Sequence, residues 1–304
     1  MKTTLMVMVS VLLFAAGAEA QRGGRGGQQL TPEQQAERAA ARAAEMSAPR
    51  PIEAVNSLWL EELTWMEIRD AIQAGNTTVL VMTGGVESNG PHLASGKHNY
   101  SNKLMGESVA QALGQTLIAP LVTLEPGNPG APVSVGSTGP KISQETYIAW
   151  LTDIGDSLRQ MGFTEVYYLG DSGGNRGGMQ AAADALTAKY GGHPTQFHHV
   201  PEFYNHVQVR QYIQETLGIP EQMEYSASSG SDGIHEELSI TSIMSVIDPT
   251  SIRFEQRVKA GRASINGISL EPLSQTQALG RKLIEFRTQL TVDAIQELRS
   301  ASHN

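Results

Sequence analysis

The chain of 304 residues contains no cysteine, and this absence excludes several kinds of site. Without a thiol there is no disulfide, no thiolate zinc site, no cysteine nucleophile and no lipoprotein anchor. Positive charge is also scarce, because 31 acidic residues outnumber 22 lysines and arginines and give a formal net charge of −9. An acidic chain repels a phosphate backbone, so we expect no nucleic-acid partner.

Long apolar runs are confined to the N-terminus. Lys2 precedes an apolar stretch over residues 5–16, and Ala18-Glu19-Ala20 has the small-x-small pattern of a signal-peptide cleavage site. We therefore expect residues 1–20 to be a signal peptide and the protein to be exported, to a periplasm or outside the cell; the alternative is a buried N-terminal helix. No later run reaches the length of a membrane span.

Residues 21–51 have a biased composition. The stretch QRGGRGG is typical of a flexible chain. Thr31-Pro32-Glu33 then gives a helix-start signal, but residues 31–46 lack a wide apolar face. We interpret residues 21–51 as a partly helical tether and residues 52–304 as a single folded domain.

Strand-like and helix-like segments alternate along the folded domain. A capping box at Thr64 and Glu67 opens a helix that should end near Gly75. Strands are predicted over residues 77–83, 116–123, 164–169 and 195–200, and further helices over about 101–113, 143–161, 175–190, 249–261 and 274–298. This alternation predicts an α/β fold with a mostly parallel sheet covered on both faces.

Two glycine-rich loops follow strands of the predicted sheet, at the edge where open parallel sheets bind ligands. Residues 84–99 read GGVESNGPHLASGKHN, and residues 170–178 read GDSGGNRGG. A third polar segment, residues 235–242, reads HEELSITS. Residues 125–141 form a long loop rich in glycine and proline, and such loops are often functional.

The first loop resembles the signature of the creatininase (creatinine amidohydrolase) family, and the other two segments resemble that family's H-G-G-N and H-A-G-x-x-E-T-S motifs. The resemblance covers about residues 58–290. It implies a three-layer α/β/α sandwich, a pair of divalent metals (zinc or manganese), hydrolysis of C–N bonds in small cyclic or formyl amides, and a homo-oligomer, often a hexamer. In such a site the metals activate water and polarise the amide carbonyl.

The family's metal-ligand positions are mostly altered in this chain. Glu87 falls on the first glutamate ligand and is kept. Asn89 stands where the family has a histidine, and His98 stands where it has a bridging aspartate. Ser172 replaces a second histidine, and Ile240 replaces a glutamate. The resemblance therefore leaves two interpretations open.

In the first interpretation the site is rewired around one or two metals, and the protein is a metal-assisted hydrolase of a C–N bond in a small polar molecule. Carboxylate and imidazole ligands suit zinc or manganese. We predict the metal ligands Glu87, His98 and Asp171, the catalytic residues His235, Glu236 and Asn175, and the substrate contacts Asn89, His92 and Ser172. His235 or a neighbouring glutamate would move the proton.

In the second interpretation the metal site is lost, and the protein binds a small molecule or acts in assembly without metal chemistry. Serine and isoleucine are poor metal ligands, and Ile240 would oppose a charged centre. Structural roles also remain open: Asp171 is a common N-cap type, and His98 could lie on the surface. Ser172 is either a cap at an anion-binding helix N-terminus or a nucleophile, although its surroundings are not a G-x-S-x-G elbow.

Overall fold

A computed structural model describes residues 31–134, 138–220 and 233–302 of the chain. The chain divides into two compact units, Met1–Pro49 and Arg50–Asn304. The predicted signal peptide, residues 1–20, lies outside the described residues. Within the described ranges, no helix is both long enough and apolar enough to cross a membrane.

The first unit contains one described helix, α1 (Pro32–Ser47), which confirms the helix predicted from Thr31. The Thr31 hydroxyl accepts a hydrogen bond from the Gln34 backbone, and the Gln34 side chain accepts one from the Thr31 backbone. None of the helix residues is buried. The capping box therefore accounts for where this helix starts, without any help from packing.

The second unit alternates strands and helices. Its helices and strands are, in chain order, α2 (Trp65–Gln73), β1 (Thr78–Thr83), α3 (Lys97–Leu113), β2 (Thr116–Ile118), α4 (Gln144–Met161), β3 (Glu165–Gly170), α5 (Arg176–Lys189), β4 (Gln196–His199), α6 (His206–Gln211), α7 (Leu238–Ile247), α8 (Phe254–Lys259), β5 (Ser264–Ile265), β6 (Ile268–Ser269) and α9 (Leu273–Ser302). Single turns of 3₁₀-helix cover Leu60–Glu62, Gly173–Asn175, Pro201–Tyr204 and Pro249–Ile252, and a π-helical turn covers Tyr212–Thr216.

Local signals fix several of these boundaries. The capping box of Thr64 and Glu67 opens α2 as predicted. Ser143 caps α4 through its hydroxyl, and α4 ends at Gly162, whose φ of +108° a side chain would strain. The ends of these helices are therefore readable from the residues themselves.

The central sheet has the order β2-β1-β3-β4, and all of its pairings are parallel. Every residue of β1 is buried. Val79 and Val81 face a core shared with α4 and α5, whereas Leu80 and Met82 face a core shared with α3 and α9. Helices thus cover both faces of the sheet, and the fold is the predicted three-layer α/β/α sandwich.

Three elements differ from expectation in ways that matter for the site. Helix α3 begins at Lys97 rather than near Ser101, because its N-cap is Gly96 and no side chain marks the start. Strand β2 ends at Ile118 rather than at residue 123. The segment Leu238–Ile247 is a helix that the sequence did not predict.

Candidate functional site

A cavity of about 370 Å³ lies beyond the carboxyl ends of β1 and β3. The loop after β1 contributes Glu87, and the loop after β3 contributes Asp171 and Ser172. The first turn of α3 contributes Lys97 and His98. Two of the predicted loops therefore meet at one cavity, as the topology of a parallel sheet requires.

His98 lies at the centre of a charged network in this cavity. Its Nδ1 is 3.0 Å from Asp171 Oδ2, and its Nε2 is 2.9 Å from Glu87 Oε1. The imidazole is buried, as is Asp171, and Glu87 is largely so. The three predicted metal ligands are therefore brought together, but with the histidine between the two carboxylates.

Each of these carboxylates also contacts a cation. Lys97 Nζ lies 2.7 Å from Glu87 Oε1, and Arg287 Nη2 lies 2.5 Å from Asp171 Oδ1. The Lys97 and Arg287 side chains are only 7% and 8% exposed. The network consequently contains two buried cations beside its two carboxylates, before the histidine is counted.

The network favours a protonated His98. Burial acts to lower the pKa of His98, but hydrogen bonds to Asp171 and Glu87 outweigh it and raise the pKa above its usual value. Burial acts to raise the pKa of Asp171, but the charge of Arg287 and the contact with His98 hold it well below its usual range. The pKa of Glu87 is lowered in the same way, against burial, by His98 and Lys97.

This arrangement does not fit a divalent metal. A histidine ligand needs a free nitrogen lone pair, whereas both nitrogens of His98 face carboxylates. The ammonium of Lys97 lies against Glu87, where it would repel a metal cation. In the described part of the chain, no group of three or more His, Asp or Glu side chains is placed to hold a metal ion.

His235 lies beside this network. Its Nδ1 is 2.9 Å from the Ser88 carbonyl oxygen, 3.1 Å from Asn89 Oδ1 and 3.4 Å from Glu87 Oε1. Burial, assisted by the charge of Lys97, lowers the pKa of His235. His235 therefore lines the cavity as a neutral imidazole, while Asn89, which donates to the Ala94 carbonyl at 3.0 Å, braces the loop.

Glu236 points away from the cavity, so we revise its predicted catalytic role. Its carboxylate accepts hydrogen bonds from the Leu93 backbone at 2.9 Å and from the His92 backbone, and it pairs with Arg257 at 2.9 Å. His92 Nδ1 lies 3.0 Å from the same carboxylate. Both Glu236 and His92, the latter predicted to bind substrate, thus hold the first loop in place.

Asn175, predicted to be catalytic, lies in the protein interior and contacts the backbone of the first loop. Its side chain is fully buried and donates hydrogen bonds to the carbonyl oxygens of Thr83 and Gly84, at 3.0 and 2.7 Å. These bonds tie the start of α5 to the end of β1. The NH2 group is engaged in these bonds, and Asn175 is not among the residues that line the cavity.

Ser172 belongs to a second polar cluster on the cavity wall. Its hydroxyl donates to Glu125 Oε2 at 2.5 Å, and the other oxygen of Glu125 contacts Lys141 Nζ. Glu125 and Lys141 are the two ends of the glycine- and proline-rich loop that the sequence marked as functional. Backbone pairing of Pro126 with Ile142 brings these ends together.

Sequence reasoning missed Arg287 and the pairing of Glu125 with Lys141. Arg287 lies within a long predicted helix, far along the chain from Asp171, and nothing local distinguishes it from a solvated arginine. Lys97 lies within the segment that the sequence predicts to be a loop, whereas it is the first residue of α3. The sequence does hold a signal for the pairing of Glu125 with Lys141. These opposite charges flank a segment whose glycines permit tight turns, so the two ends can meet.

The comparisons with known proteins agree with this fold. A family model described as creatinine amidohydrolase matches residues 61–295. The chain belongs to the creatininase family. A search of curated proteins finds no match.

Solved creatininase structures resemble the chain in fold at low identity. A manganese creatininase shares 17% identity with a TM-score of 0.59, covering 80% of this chain and 98% of that one. A variant creatininase of the Zn-Zn type shares 18% identity with a TM-score of 0.58 over the same fractions. A creatinine amidohydrolase assigned in Bacteroides fragilis shares 16% identity with a TM-score of 0.52, again over 80% and 98%. These similarities show the fold.

At the positions that the sequence resemblance assigns to creatininase ligands, this chain has mostly non-ligand chemistry. Asn89 contacts loop backbone, Ser172 donates to a glutamate, and Ile240 adds an apolar side chain to the cavity wall. His98, which the resemblance assigns to the bridging position, is the centre of the ion-paired network. Creatininase family members described by metal content contain manganese or zinc, whereas this chain places buried cationic side chains at the corresponding edge of its sheet.

Proposed function

We propose that the protein binds a small polar molecule in the cavity, and that charged side chains rather than divalent metals contact it. One observation carries this proposal: both nitrogens of His98 face carboxylates, and Lys97 and Arg287 already balance those carboxylates. Buried charge of this density is expensive and is concentrated at functional sites.

The size and lining of the cavity support a small ligand. Its volume of about 370 Å³ lies within the range of small-molecule sites. Ile240, Ile243 and Val209 supply apolar wall, and the polar groups converge from the opposite side. Such a mixture orients a ligand through a few fixed hydrogen bonds.

Two titratable groups with shifted pKa values also line the cavity. Burial lowers the pKa of His206 to about 4, so that residue offers a neutral imidazole to the cavity. Burial raises the pKa of Glu237, against the opposing charges of Lys97 and Arg210. Glu237 can therefore donate a hydrogen bond when protonated or pair with a ligand cation when ionised.

The second candidate function is metal-assisted hydrolysis of a C–N bond in a small amide. Family membership and the convergence of Glu87, His98 and Asp171 favour it. It requires Lys97 and His98 to leave their present partners. The donor set therefore supports it less well than metal-free binding.

Metal titration separates the two candidates. Elemental analysis of protein purified without chelator, followed by calorimetry with zinc and manganese, should show no stoichiometric binding. About one equivalent of metal, lost in Glu87→Ala and His98→Ala but kept in the control His199→Gln on β4, would establish the metal hydrolase instead.

Ligand binding is measured by thermal shift with a panel of small amides, amidines and carboxylates. A bound compound raises Tm according to its concentration relative to Kd. We expect at least one class to stabilise the protein in the presence of a chelator, with the shift reduced in Glu237→Gln. If every compound that binds requires added zinc or manganese, the proposal is wrong.

A further inference from the structure

We propose that Ser172 is a nucleophile activated by Glu125 as its general base, which would make the cavity a metal-independent acyl-transfer site for a small ester or amide. The inference rests on the proposed function, because the acyl compound is the small polar molecule that enters the cavity. In this inference the bound molecule is hydrolysed, and the residues that act on it, Ser172 and Glu125, are separate from the His98 network.

The contacts of Ser172 are those of an activated hydroxyl. Its Oγ donates to Glu125 Oε2 at 2.5 Å, and both residues are buried on the cavity wall. Lys141 contacts the other oxygen of Glu125 and also donates to the Val86 carbonyl oxygen at 3.3 Å. Nucleophile, base and a third group that orients the base are the three parts that nucleophilic catalysis requires.

Two glycines leave the space that the side chains of Glu125 and Lys141 occupy. A Cβ added at Gly85 would come within 2.9 Å of the Glu125 side chain, and one added at Gly127 would come within 3.0 Å of Lys141. Larger residues at either position would displace the base or its partner. The two glycines thus make the close approach of Glu125 and Lys141 possible.

Two glycines follow Ser172 in the chain and line the same cavity. Ser172 precedes the turn Gly173–Asn175, which leads directly into α5. Gly173 and Gly174 line the cavity directly after Ser172. In the proposed reaction their backbone N–H groups are the candidate donors to the oxyanion.

The reaction balances without a metal or a co-reactant other than water. Glu125 takes the proton of Ser172 as Oγ bonds to the carbonyl carbon, and the carbonyl electron pair moves onto oxygen. Collapse of this oxyanion breaks the C–O or C–N bond, and Glu125 returns the proton to the leaving group. Water, activated by the same carboxylate, then releases the acid and regenerates Ser172.

A covalent probe tests the proposal directly. The intact protein, held in chelator, is incubated with a small fluorophosphonate, in which attack forms an Oγ–P bond and releases fluoride. Mass spectrometry should show a single adduct, mapped by peptide analysis to Ser172 and absent from Ser172→Ala. The control Ser108→Ala, on α3, should label at the wild-type rate.

The role of the base is tested by Glu125→Gln, which keeps the size of the side chain. Removing a general base typically slows reaction about 100-fold or more, so labelling should slow by at least that factor, and the fall in wild-type rate at low pH should disappear. Glu125→Asp, which withdraws the carboxylate without removing it, should give an intermediate rate. Circular dichroism and Tm verify that each variant is folded.

Either of two results overturns the inference: folded wild-type protein without an adduct at Ser172, or Glu125→Gln labelling as fast as wild type. The probe needs neither the natural ligand nor a metal. If labelling fails while the compound panel still binds in chelator, only the nucleophile is wrong and the proposed binding function stands.

Discussion

Two arginines of α9 form ion pairs at opposite ends of β3. Comparing the two pairs distinguishes an ion pair that shapes the proposed site from one that holds a helix on the sheet. Arg287 pairs with Asp171, just beyond the carboxyl end, at 2.5 Å, and Arg299 pairs with Glu165, the first residue of the strand, at 2.6 Å. The first pair is 8% and 3% exposed, and the second is 27% and 22% exposed. Both are arginine–carboxylate pairs, but the more deeply buried Arg287–Asp171 pair has the higher cost of desolvation.

A buried ion pair contributes little net stability, because the loss of hydration offsets the attraction. The Arg287–Asp171 pair is therefore better explained by the cavity that it serves. At the other end, Arg299 also contacts Thr78 at 2.8 Å and ties α9 to β1 and β3 near the surface. The buried pair shapes a site, whereas the exposed pair fastens a helix to the sheet.

Cavity size does not distinguish the two ends. The cavity at the amino end of the sheet, about 480 Å³, exceeds the one at the carboxyl end. Its charged lining, however, consists of Glu165 and Arg299, which already bind each other. The carboxyl end brings together several buried cations and carboxylates, and that concentration is the reason why we propose the ligand site there.

The largest expected effect comes from removing each arginine. Arg287→Met removes the guanidinium from the buried Asp171 carboxylate, which keeps only its contact with His98, and we expect the free energy of unfolding to fall by about 3–5 kcal/mol. Arg299→Met breaks a partly exposed pair and should cost about 1 kcal/mol or less. Urea denaturation of both variants measures the difference. Equal losses would remove the distinction between the two ends.

A smaller effect is expected from filling the space beside Glu125. Gly85→Ala places a Cβ within 2.9 Å of the Glu125 side chain, and such overpacking costs about 1–3 kcal/mol. Gly177→Ala, in α5 with no atom within 4 Å of the added Cβ, is the matched control and should be neutral or stabilising. If both variants have the same unfolding free energy, the carboxyl end is less tightly packed than we describe.

The smallest effects concern two histidines, one at each end. The pKa of His98 is raised above 6.5, and burial lowers the pKa of His198 at the amino-end cavity below 6.5. His98 therefore adds stability that is complete below pH about 6.5 and is lost as pH rises through its folded-state pKa. His198 has the opposite sign, since stability falls as pH drops below about 6.5. Histidine NMR titration should give a pKa above that of free histidine for His98 and below it for His198. A lower pKa for His98 than for His198 would contradict the account of the network.

Much of the fold was predictable because its signals are local. Thr64 and Ser143 cap helices with their own side chains, and the unbroken apolar run of β1 can only be buried on both faces. The carboxyl-edge rule also brought Glu87, His98 and Asp171 together correctly. These features depend on neighbours in sequence or on topology alone.

The roles of individual site residues were less predictable, because they depend on distant partners. Glu236 lies next to His235 in sequence, yet Arg257 and the backbone of the first loop draw its carboxylate away from the cavity. Arg287 reaches Asp171 only after α9 has packed on the sheet. No spacing or motif encodes either contact.

The central claim, that side-chain cations occupy the place of metals, is tested most directly by anomalous diffraction. Crystals soaked in zinc, with data collected at the zinc edge, should show no peak among Glu87, His98 and Asp171, and Lys97 Nζ should remain in contact with Glu87. A zinc peak bonded to those side chains at about 2.0–2.2 Å, with Lys97 displaced, would contradict the claim and restore the metal hydrolase.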